Sequence, residues 1–412
     1  MNLAWISIGA LVLAVGLSCT TTINVGVLSL ALALVLGVYL GGMTPAAVLA
    51  GFPAPLLVTL VGITLLFSIA DCNGTLARVT GRAVRLCRGH AGALPVMFFA
   101  LGLAISTIGP GGTPTSALLA PPAMAVALRA RIPLLLMAVM AGNGCLAGTL
   151  SPFAPTGIVA NGVMARVGLT GMEWKTYAFN AVAHSIVGLA GFLVLGGWRL
   201  FKRHDTVQAD GPDAGPMEKN HWLTMGGIGA LVIAVAILEI DVGMTALVIA
   251  ALLTLLRTVD EQKAIQRMPW GVILMVTGVT VLVSMLEKTK GLELFTTGLA
   301  NISTPATVAP IVAFGTGVVS VYSSTSGVVL PAFLPMVPDL ARRLGGIEPL
   351  PIAWSMNIGA SLVDLSSLST VGALFLAGAP PGSDTRALFN ALLVWGLSMS
   401  VVGAALCWIL FG

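Results

Sequence analysis

The stretch STIGPGGTPTS, residues 106–116, places three glycines and two prolines within six residues of an otherwise apolar region. An ordinary spanning helix does not carry such a cluster, because glycine weakens a helix and proline removes one of its backbone hydrogen bonds. Serine and threonine hydroxyls stand on both sides of the cluster. We therefore expect the backbone to turn here inside the membrane, at the tip of a hairpin that enters and leaves on one side.

The composition of the whole chain places this turn in a membrane protein. Of the 412 residues, 57% are hydrophobic and 9% are charged, against about 25% charged in a typical soluble protein. This excludes a water-soluble fold and predicts an all-α polytopic protein embedded in a lipid bilayer. The net charge of +4 is small and lies in the loops, so nucleic acid is not an expected partner.

The chain contains several apolar stretches that are long enough to cross a bilayer, which takes about 20 residues. Residues 93–165 and 305–379 are longer apolar regions that polar, glycine-rich and proline-rich clusters interrupt. We interpret each of the two as a re-entrant hairpin followed by a broken helix. Elsewhere we expect spanning helices near residues 3–19, 24–41, 53–70, 179–198, 222–238, 242–257, 269–287 and 387–411.

These two regions belong to an internal repeat. The run IGALVLAV at 8–15 returns as IGALVIAV at 228–235, and a repeat of this length is typical of secondary transporters. The polar stretch 199–221 separates the copies and is predicted to be a cytoplasmic linker. The predicted first repeat is 1–198, with a hairpin at 93–128 and a broken helix at 133–165, and the second is 222–412, with a hairpin at 305–337 and a broken helix at 350–379.

The charge distribution sets the predicted orientation. Three spanning helices, a broken helix and a last helix give an odd number of crossings per repeat, five, so we expect the second repeat to be inverted. With both termini outside, fourteen of the 20 Lys and Arg residues fall on the inner side, as the positive-inside rule requires. The six that fall outside are Arg166, Lys175, Lys288, Lys290, Arg342 and Arg343.

The segment LARVTGRAVRLCRG, residues 76–89, carries arginines three and four residues apart. At helical spacing they share one face, with leucine and valine between them. This pattern favours an amphipathic helix on the inner membrane surface. The alternative is an ordinary cytoplasmic connector.

The second hairpin has a polar tip of its own in SVYSSTSG, residues 320–327. At each tip the second half-helix begins with free backbone N–H groups and the positive end of its dipole, surrounded by hydroxyls. Such a tip predicts an anion site without a buried Lys or Arg. The residues that we expect to bind the substrate are Gly112, Thr113, Thr115, Ser116, Ser324, Thr325, Ser326 and Ser366.

The broken helices contain NGCLAGTLSPFAPTG at 143–157 and NIGASLVDLSSLST at 357–370. A helix that unwinds in the membrane frees backbone carbonyls, which together with Ser and Asn oxygens suit sodium. The alternative is that the hydroxyls bond back to their own helix and only bend it. The predicted cation ligands are Thr107, Gly111, Asn143, Gly148, Ser151, Ser320, Ser323, Asn357, Ser361 and Asp364.

Asp364 is the one acidic residue in the interior of a predicted membrane segment, and its counterpart in the first repeat is Thr149. An isolated charge there costs about 2.5–3.5 kcal/mol. We therefore expect Asp364 to bind a coupling cation or to carry a coupling proton, with capping of broken-helix amides as the alternative. His184 is expected to be a packing residue rather than a proton relay.

Motifs for other kinds of chemistry are missing from the sequence. It has no GxxxxGK[ST], HExxH or GxSxG, so neither a P-loop nor a familiar hydrolytic site is encoded. The five cysteines form no CxxC pair, and a transition-metal site is not expected. The sequence predicts a transporter driven by an ion gradient and not an enzyme, with no cofactor besides the coupling ion.

Residues 49–75, LAGFPAPLLVTLVGITLLFSIADCNGT, and 83–89, AVRLCRG, resemble the N-terminal region of dicarboxylate carriers of the MatC, or malonate carrier, type. These carriers belong to the ion transporter superfamily, with the divalent anion/sodium symporters. The resemblance covers roughly the first 165 residues. The symporters carry Ser-Asn-Thr at each tip, whereas here residues 111–113 read Gly-Gly-Thr and residues 323–325 read Ser-Ser-Thr. Threonine is kept and asparagine is lost, so Asn143 and Asn357 are candidates to supply the missing amides.

The resemblance implies an elevator mechanism, in which hairpins and broken helices move against a scaffold that is often dimeric. It also implies sodium-coupled symport of a small dicarboxylate, such as malonate or a C4-dicarboxylate, across a bacterial inner membrane. Two alternatives stay open at this point. One is the membrane subunit of a binding-protein-dependent carboxylate transporter, and the other is an uncoupled anion channel.

Overall fold

The computed structural model describes residues 3–20, 23–86, 91–202, 216–238, 240–380 and 382–412. Across these ranges the chain is helical and contains no strand. Five helical segments are long and apolar enough to cross a membrane, and six shorter apolar helices accompany them. The five are Ala54–Cys72, Glu173–Val194, Trp270–Lys288, Pro349–Ala377 and Thr385–Phe411.

The described residues of the first half of the chain form ten α-helices. A π-helical segment, Val35–Leu40, extends the second of them, and a 3-10 segment, Gly197–Lys202, follows the last. The helices are α1 (Leu3–Thr20), α2 (Val25–Leu34), α3 (Pro45–Leu49), α4 (Ala54–Cys72), α5 (Thr75–Leu86), α6 (Ala93–Ile108), α7 (Gly112–Arg129), α8 (Leu134–Ala147), α9 (Pro155–Arg166) and α10 (Glu173–Val194).

The second half contains eleven. A π-helical segment at Thr325–Val329 precedes α17, and 3-10 segments at Leu334–Met336 and Val363–Leu365 follow α17 and α19. The helices are α11 (Lys219–Ala236), α12 (Val242–Leu255), α13 (Glu261–Arg267), α14 (Trp270–Lys288), α15 (Gly291–Ile302), α16 (Val308–Tyr322), α17 (Leu330–Phe333), α18 (Val337–Arg343), α19 (Pro349–Leu362), α20 (Thr370–Ala377) and α21 (Thr385–Phe411).

All eight predicted spanning segments are helical, but two begin earlier than the hydropathy indicates. Helix α10 starts at Glu173, whereas the prediction placed its start near 179. A carboxylate in the first turn stabilises a helix start, so charged residues extend α10 beyond its apolar part. Helix α11 starts at Lys219, inside the predicted linker, where the Glu218 N–H donates to His221 Nδ1 at 2.8 Å. Linker residues 203–215 lie outside the described ranges.

The predicted amphipathic segment 76–89 is helical as far as it is described. Helix α5 covers Thr75–Leu86, and Arg88 lies outside the described residues. The Arg78 guanidinium lies 3.5 Å from the Glu218 carboxylate, which joins α5 to the start of α11. The location of α5 on a membrane surface stays a prediction.

Helices from the two halves cross closely at glycines. A Cβ atom on Gly278 of α14 would lie 1.9 Å from the Gly26 carbonyl oxygen of α2, and one on Gly62 of α4 would lie 2.5 Å from the Gly243 oxygen of α12. Small residues at such crossings let membrane helices approach to backbone contact. Each half therefore contributes its second and third long helices to one intertwined unit, which packs beside the hairpins and broken helices.

The hairpins pack on the broken helices in the same way in both halves. A Cβ on Gly144 of α8 would lie 2.2 Å from the Phe99 oxygen of α6, and a Cβ on Gly359 of α19 would lie 2.2 Å from the Ala313 oxygen of α16. These two glycines are 215 residues apart, in line with the sequence repeat. Inversion of the second half relative to the membrane stays a prediction.

Candidate functional site

A polar cavity of about 270 Å³ lies where the two hairpin tips meet the two helix breaks. The first half contributes Thr113, Thr149 and Thr156 to its wall. The second half contributes the tip residues 323–326 and, from its break, Asp364, Ser369 and Thr370. The apolar part of the wall consists of Ile23, Val25, Leu146, Met275, Val328, Leu368 and Val371.

The first hairpin turns where the glycine and proline cluster predicts. Helix α6 ends at Ile108 and α7 begins at Gly112. Gly109 and Gly111 have φ angles of 155° and 79°, which side-chain-bearing residues rarely adopt. The Gly112 N–H donates to Thr149 Oγ1 at 3.3 Å, so the tip is held against the first helix break.

The second hairpin turns at residues 323 and 324, between α16 and the π-helical segment. Ser324 Oγ accepts from the Gly327 N–H at 3.0 Å and caps the start of the descending limb. Ser323 Oγ is buried and has no hydrogen-bond partner among the described residues, although Ser323 lines the cavity. A buried hydroxyl without a partner costs free energy, and a bound ligand would satisfy it.

Asp364 lies half-buried in the middle of the 3-10 turn Val363–Leu365, which follows α19. Thr325 Oγ1 lies 2.7 Å from Oδ1 and 2.8 Å from Oδ2 of its carboxylate. Ser320 Oγ lies 3.5 Å from Oδ1, and the Ala360 carbonyl oxygen lies 3.2 Å from Thr325 Oγ1. The second hairpin and the second break thus form a cluster of oxygen atoms, which are the ligand type that hard cations prefer.

Four helical segments begin at the cavity. Thr113 and Thr156 lie in the first turns of α7 and α9, Thr370 is the first residue of α20, and Thr325 begins the π-helical segment. Free N–H groups and the positive end of the dipole at such starts favour anions. Among the described residues, those that line the cavity include no Lys, Arg or His, and Asp364 is the one with a formal charge.

Several predicted ligands lie behind the first tip rather than in the cavity wall. Thr115 Oγ1 and Ser116 Oγ are buried without a hydrogen-bond partner among the described residues, and so is Ser106 Oγ, which is not a predicted ligand. Ser151 Oγ donates to the Thr107 carbonyl oxygen at 2.6 Å, and Thr107 Oγ1 lies 3.1 Å from the Tyr177 hydroxyl. The other predicted residues behind this tip, outside the cavity wall, are Gly111, Gly112 and Gly148.

A second group of predicted ligands lies in a buried network between the broken helices. His184 of α10 lies 3.0 Å from Asn143 Oδ1 through Nδ1 and 3.3 Å from Ser361 Oγ through Nε2. Ser361 Oγ donates to Asn180 Oδ1 at 2.6 Å, and Asn143 Nδ2 donates to the Val139 oxygen of its own helix. This network matches the packing role predicted for His184. The cation roles predicted for Asn143 and Ser361 stay predictions.

Two further predicted residues lie near the second break without lining the cavity. Asn357 is buried, with Oδ1 unpartnered among the described residues and Nδ2 3.7 Å from Met164 Sδ. Ser366 is buried beneath Gly396 and accepts from the Leu368 N–H at 3.3 Å. Their ligand roles also stay predictions.

Several residues of the cavity wall are not among the ligands predicted from the sequence. They are Thr149, which the repeat identifies only as the counterpart of Asp364, and Thr156, Ser369 and Thr370. For Thr156, Ser369 and Thr370 the sequence offers one signal, which is their position where a broken helix starts again. Ser369 Oγ, for example, accepts from the Gly372 N–H and caps α20. Met275 of α14 gives no local signal, because packing between distant helices brings it to the cavity.

Comparison with known proteins shows what the first part of the chain is similar to. Residues 1–149 match the family model described as the N-terminus of the dicarboxylate carrier protein MatC. The similarity to this carrier family thus concerns the first 149 residues. No curated protein matches the chain. The family match and the fold point to a membrane transporter, and not to an enzyme.

Two solved transporter structures share the fold. The YdaH transporter of Alcanivorax borkumensis is 16% identical with a TM-score of 0.63, and the match covers 90% of this chain and 88% of that one. MtrF of Neisseria gonorrhoeae, described as illuminating a class of antimetabolite efflux pumps, is 14% identical with a TM-score of 0.58 and coverages of 88% and 82%. At these identities the likeness concerns the fold alone.

Proposed function

We propose that the chain is a secondary active transporter that imports a small dicarboxylate, such as malonate or a C4-dicarboxylate, by symport with sodium. The observation that carries this proposal is the cavity in which four helical segments begin around one carboxylate, without a Lys, Arg or His in the wall. The N-terminal match to a dicarboxylate carrier family supports the class of substrate.

Hydroxyls and backbone N–H groups would bind the substrate. Thr113 of the first tip and residues 323–326 of the second line the same cavity. A molecule with two carboxylates could therefore contact both tips. Binding by N–H and hydroxyl groups favours anions that are small enough to reach both tips, so we expect selectivity by length.

Asp364 makes a cation necessary for binding. With Asp364 ionised, the lining residues carry one negative charge, and a dicarboxylate would add two more. Negative charges in a site of low dielectric constant repel one another strongly. A sodium ion at the oxygen atoms of Asp364, Thr325, Ser320 and Ala360 would offset this repulsion, so that cation and dianion bind together.

The membrane potential also requires that cations enter together with the dianion. A dianion that enters a cell with an inside-negative potential works against about 4.6 kcal/mol at 100 mV, taking about 2.3 kcal/mol per charge. Two sodium ions cancel this cost, and a third ion makes uptake potential-driven. Through an uncoupled channel, the same inside-negative potential would drive the dianion out of the cell.

The moving parts of the proposed transporter are the hairpins and broken helices, which pack on each other through Gly144 and Gly359. Helices such as α2, α4, α12 and α14 form the other unit and would be the scaffold. We infer an elevator movement between the units, a homodimer, and a bacterial inner membrane location with both termini outside. In this proposal the chain consists of two inverted repeats of five spanning helices, and each repeat contributes helices to both units.

The test is uptake of radiolabelled malonate into proteoliposomes that contain only this chain. We expect an imposed sodium gradient to concentrate the label, and a panel of dicarboxylates to compete in order of length. If the imposed sodium gradient does not change the uptake, the proposed coupling to sodium is wrong. Absence of uptake by the purified chain, with recovery on addition of a soluble binding protein, favours the binding-protein-dependent alternative.

A further inference from the structure

A second cavity of about 340 Å³ lies further along the elements that line the first. Its wall combines Arg166 at the end of α9 with Glu287 near the end of α14. Pro331 and Pro335 of the second hairpin and residues 50–52 complete the wall together with apolar and hydroxyl side chains of α9 and α14.

The two cavities share three elements. Helix α9 contributes Thr156 to the first cavity and, ten residues later, Arg166 to the second, which corresponds to about 15 Å along a helix. Helix α14 contributes Met275 and, twelve residues later, Glu287, or about 18 Å. The descending limb of the second hairpin is the third shared element. The cavities are therefore consecutive chambers.

A buried apolar layer separates the chambers. Ala160 of α9 belongs to the same core cluster as Val329 and Leu330 of the hairpin. Along α9, Ala160 lies between Thr156 of the first cavity and Val163 of the second, and along the hairpin Val329 and Leu330 lie between Val328 and Pro331. A substrate that moves from one chamber to the other would have to pass the limb of the hairpin that carries Val329.

Charge distinguishes the chambers. Arg166 is the one cation among the residues that line the two cavities. Arg166 and Glu287 are exposed and attract each other electrostatically, without a hydrogen bond or an ion pair within 4 Å among the described residues. Lys288 also acts on Glu287, and its Nζ donates to the Ala47 oxygen at 2.6 Å. The Arg166 guanidinium, which has no close ion pair, can therefore bind an incoming carboxylate.

We propose that the second cavity is a peripheral binding site for the dicarboxylate, with Arg166 as its anion ligand. This inference rests on the proposed function. In the predicted orientation Arg166 lies on the outer side, so the substrate would reach this site first during uptake. Glu287 opposes the anion there and keeps the peripheral site weak, so that the substrate moves on to the hydroxyl-lined cavity.

The experiment compares uptake of radiolabelled malonate by cells that express the wild type, Arg166→Gln, Arg166→Lys, Glu287→Gln and Lys175→Gln. Lys175 is an exposed cation on the same predicted side, outside both cavities, and is the matched control. We expect Arg166→Gln to raise the KM about tenfold at low ionic strength, within the range of electrostatic steering, with kcat unchanged. Arg166→Lys and Lys175→Gln should keep the wild-type KM, and Glu287→Gln should lower it.

The outcomes separate this inference from the proposed function. Lack of malonate uptake by the wild type contradicts the proposed function itself. Wild-type uptake with an unchanged KM in Arg166→Gln, or an equal rise in Lys175→Gln, overturns the peripheral site and leaves the transporter standing. Should Arg166→Gln fail to fold, Glu287→Gln still decides, because a folding defect does not lower a KM.

Discussion

Thr325 Oγ1 lies within 2.8 Å of both carboxylate oxygens of Asp364 and so joins the second hairpin tip to the second helix break. One hydroxyl proton bonds to one oxygen at a time, whereas an ionised carboxylate has about four lone-pair sites. Ser320 adds one long contact of 3.5 Å. The carboxylate is therefore incompletely satisfied on the side that faces the cavity, where a cation would complete its coordination.

Replacement of Asp364 by asparagine should abolish concentrative uptake. The amide keeps the shape of the side chain but removes the charge that balances the cation. We therefore expect the factor by which sodium stimulates malonate uptake to fall by at least about tenfold, or 1.4 kcal/mol. Sodium titrations of uptake in proteoliposomes measure this change. Glu348→Gln is the matched control, since Glu348 is an exposed carboxylate at the start of α19. An Asp364→Asn protein with wild-type sodium affinity, stoichiometry and pH dependence contradicts the coupling role.

Loss of the Thr325 hydroxyl should weaken cation binding while the fold stays intact. A hydrogen bond to a charged group contributes about 1.5–3 kcal/mol, so Thr325→Val should raise the half-saturating sodium concentration by about tenfold or more. Thr325→Ser keeps the hydroxyl and is the control. Equal sodium affinities for the two variants would mean that the hydroxyl only packs against Asp364.

The crossing of α2 and α14 should tolerate no side chain at Gly278. A methyl group there would lie 1.9 Å from the Gly26 oxygen, and an overpacked site costs about 1–3 kcal/mol. We expect Gly278→Ala to lower the melting temperature of the purified protein in detergent. Gly229→Ala is the control, because nothing lies within 4 Å of its added methyl group. Equal melting temperatures would show that the two helices separate easily.

His184 should stabilise the protein without setting its pH profile. It is fully buried, and both of its ring nitrogens have partners, on Asn143 and Ser361. His184→Ala leaves these groups unpaired at a cost of about 1–3 kcal/mol. Thermal unfolding of His184→Ala, Ser361→Ala and the double variant should show coupling between the two sites, while the uptake that remains keeps the wild-type pH dependence. A shifted pH profile would instead identify His184 as a proton relay.

Much of the fold follows from local sequence signals. The length of apolar runs predicts the spanning helices, and the glycine and proline cluster at 109–114 predicts the first tip, because these residues act on the backbone at their own positions. The early start of α10 at Glu173 is less visible, since hydropathy does not detect a polar first turn. The sequence identifies the candidate hydroxyl groups, but it does not predict the direction in which each side chain points.

The sequence by itself determined which apolar stretches form long helices, where the first hairpin turns and that the carboxylate of Asp364 stands among hydroxyls. Only the tertiary structure decided that Thr113 and Thr325 line the cavity while Thr115 and Ser366 are buried outside it. Neighbouring residues at a helix start point in different directions, and the partner of each is a residue far away in the chain, as Thr325 is 39 residues from Asp364. Such pairings depend on how the hairpins and broken helices pack, which no local pattern of residues encodes.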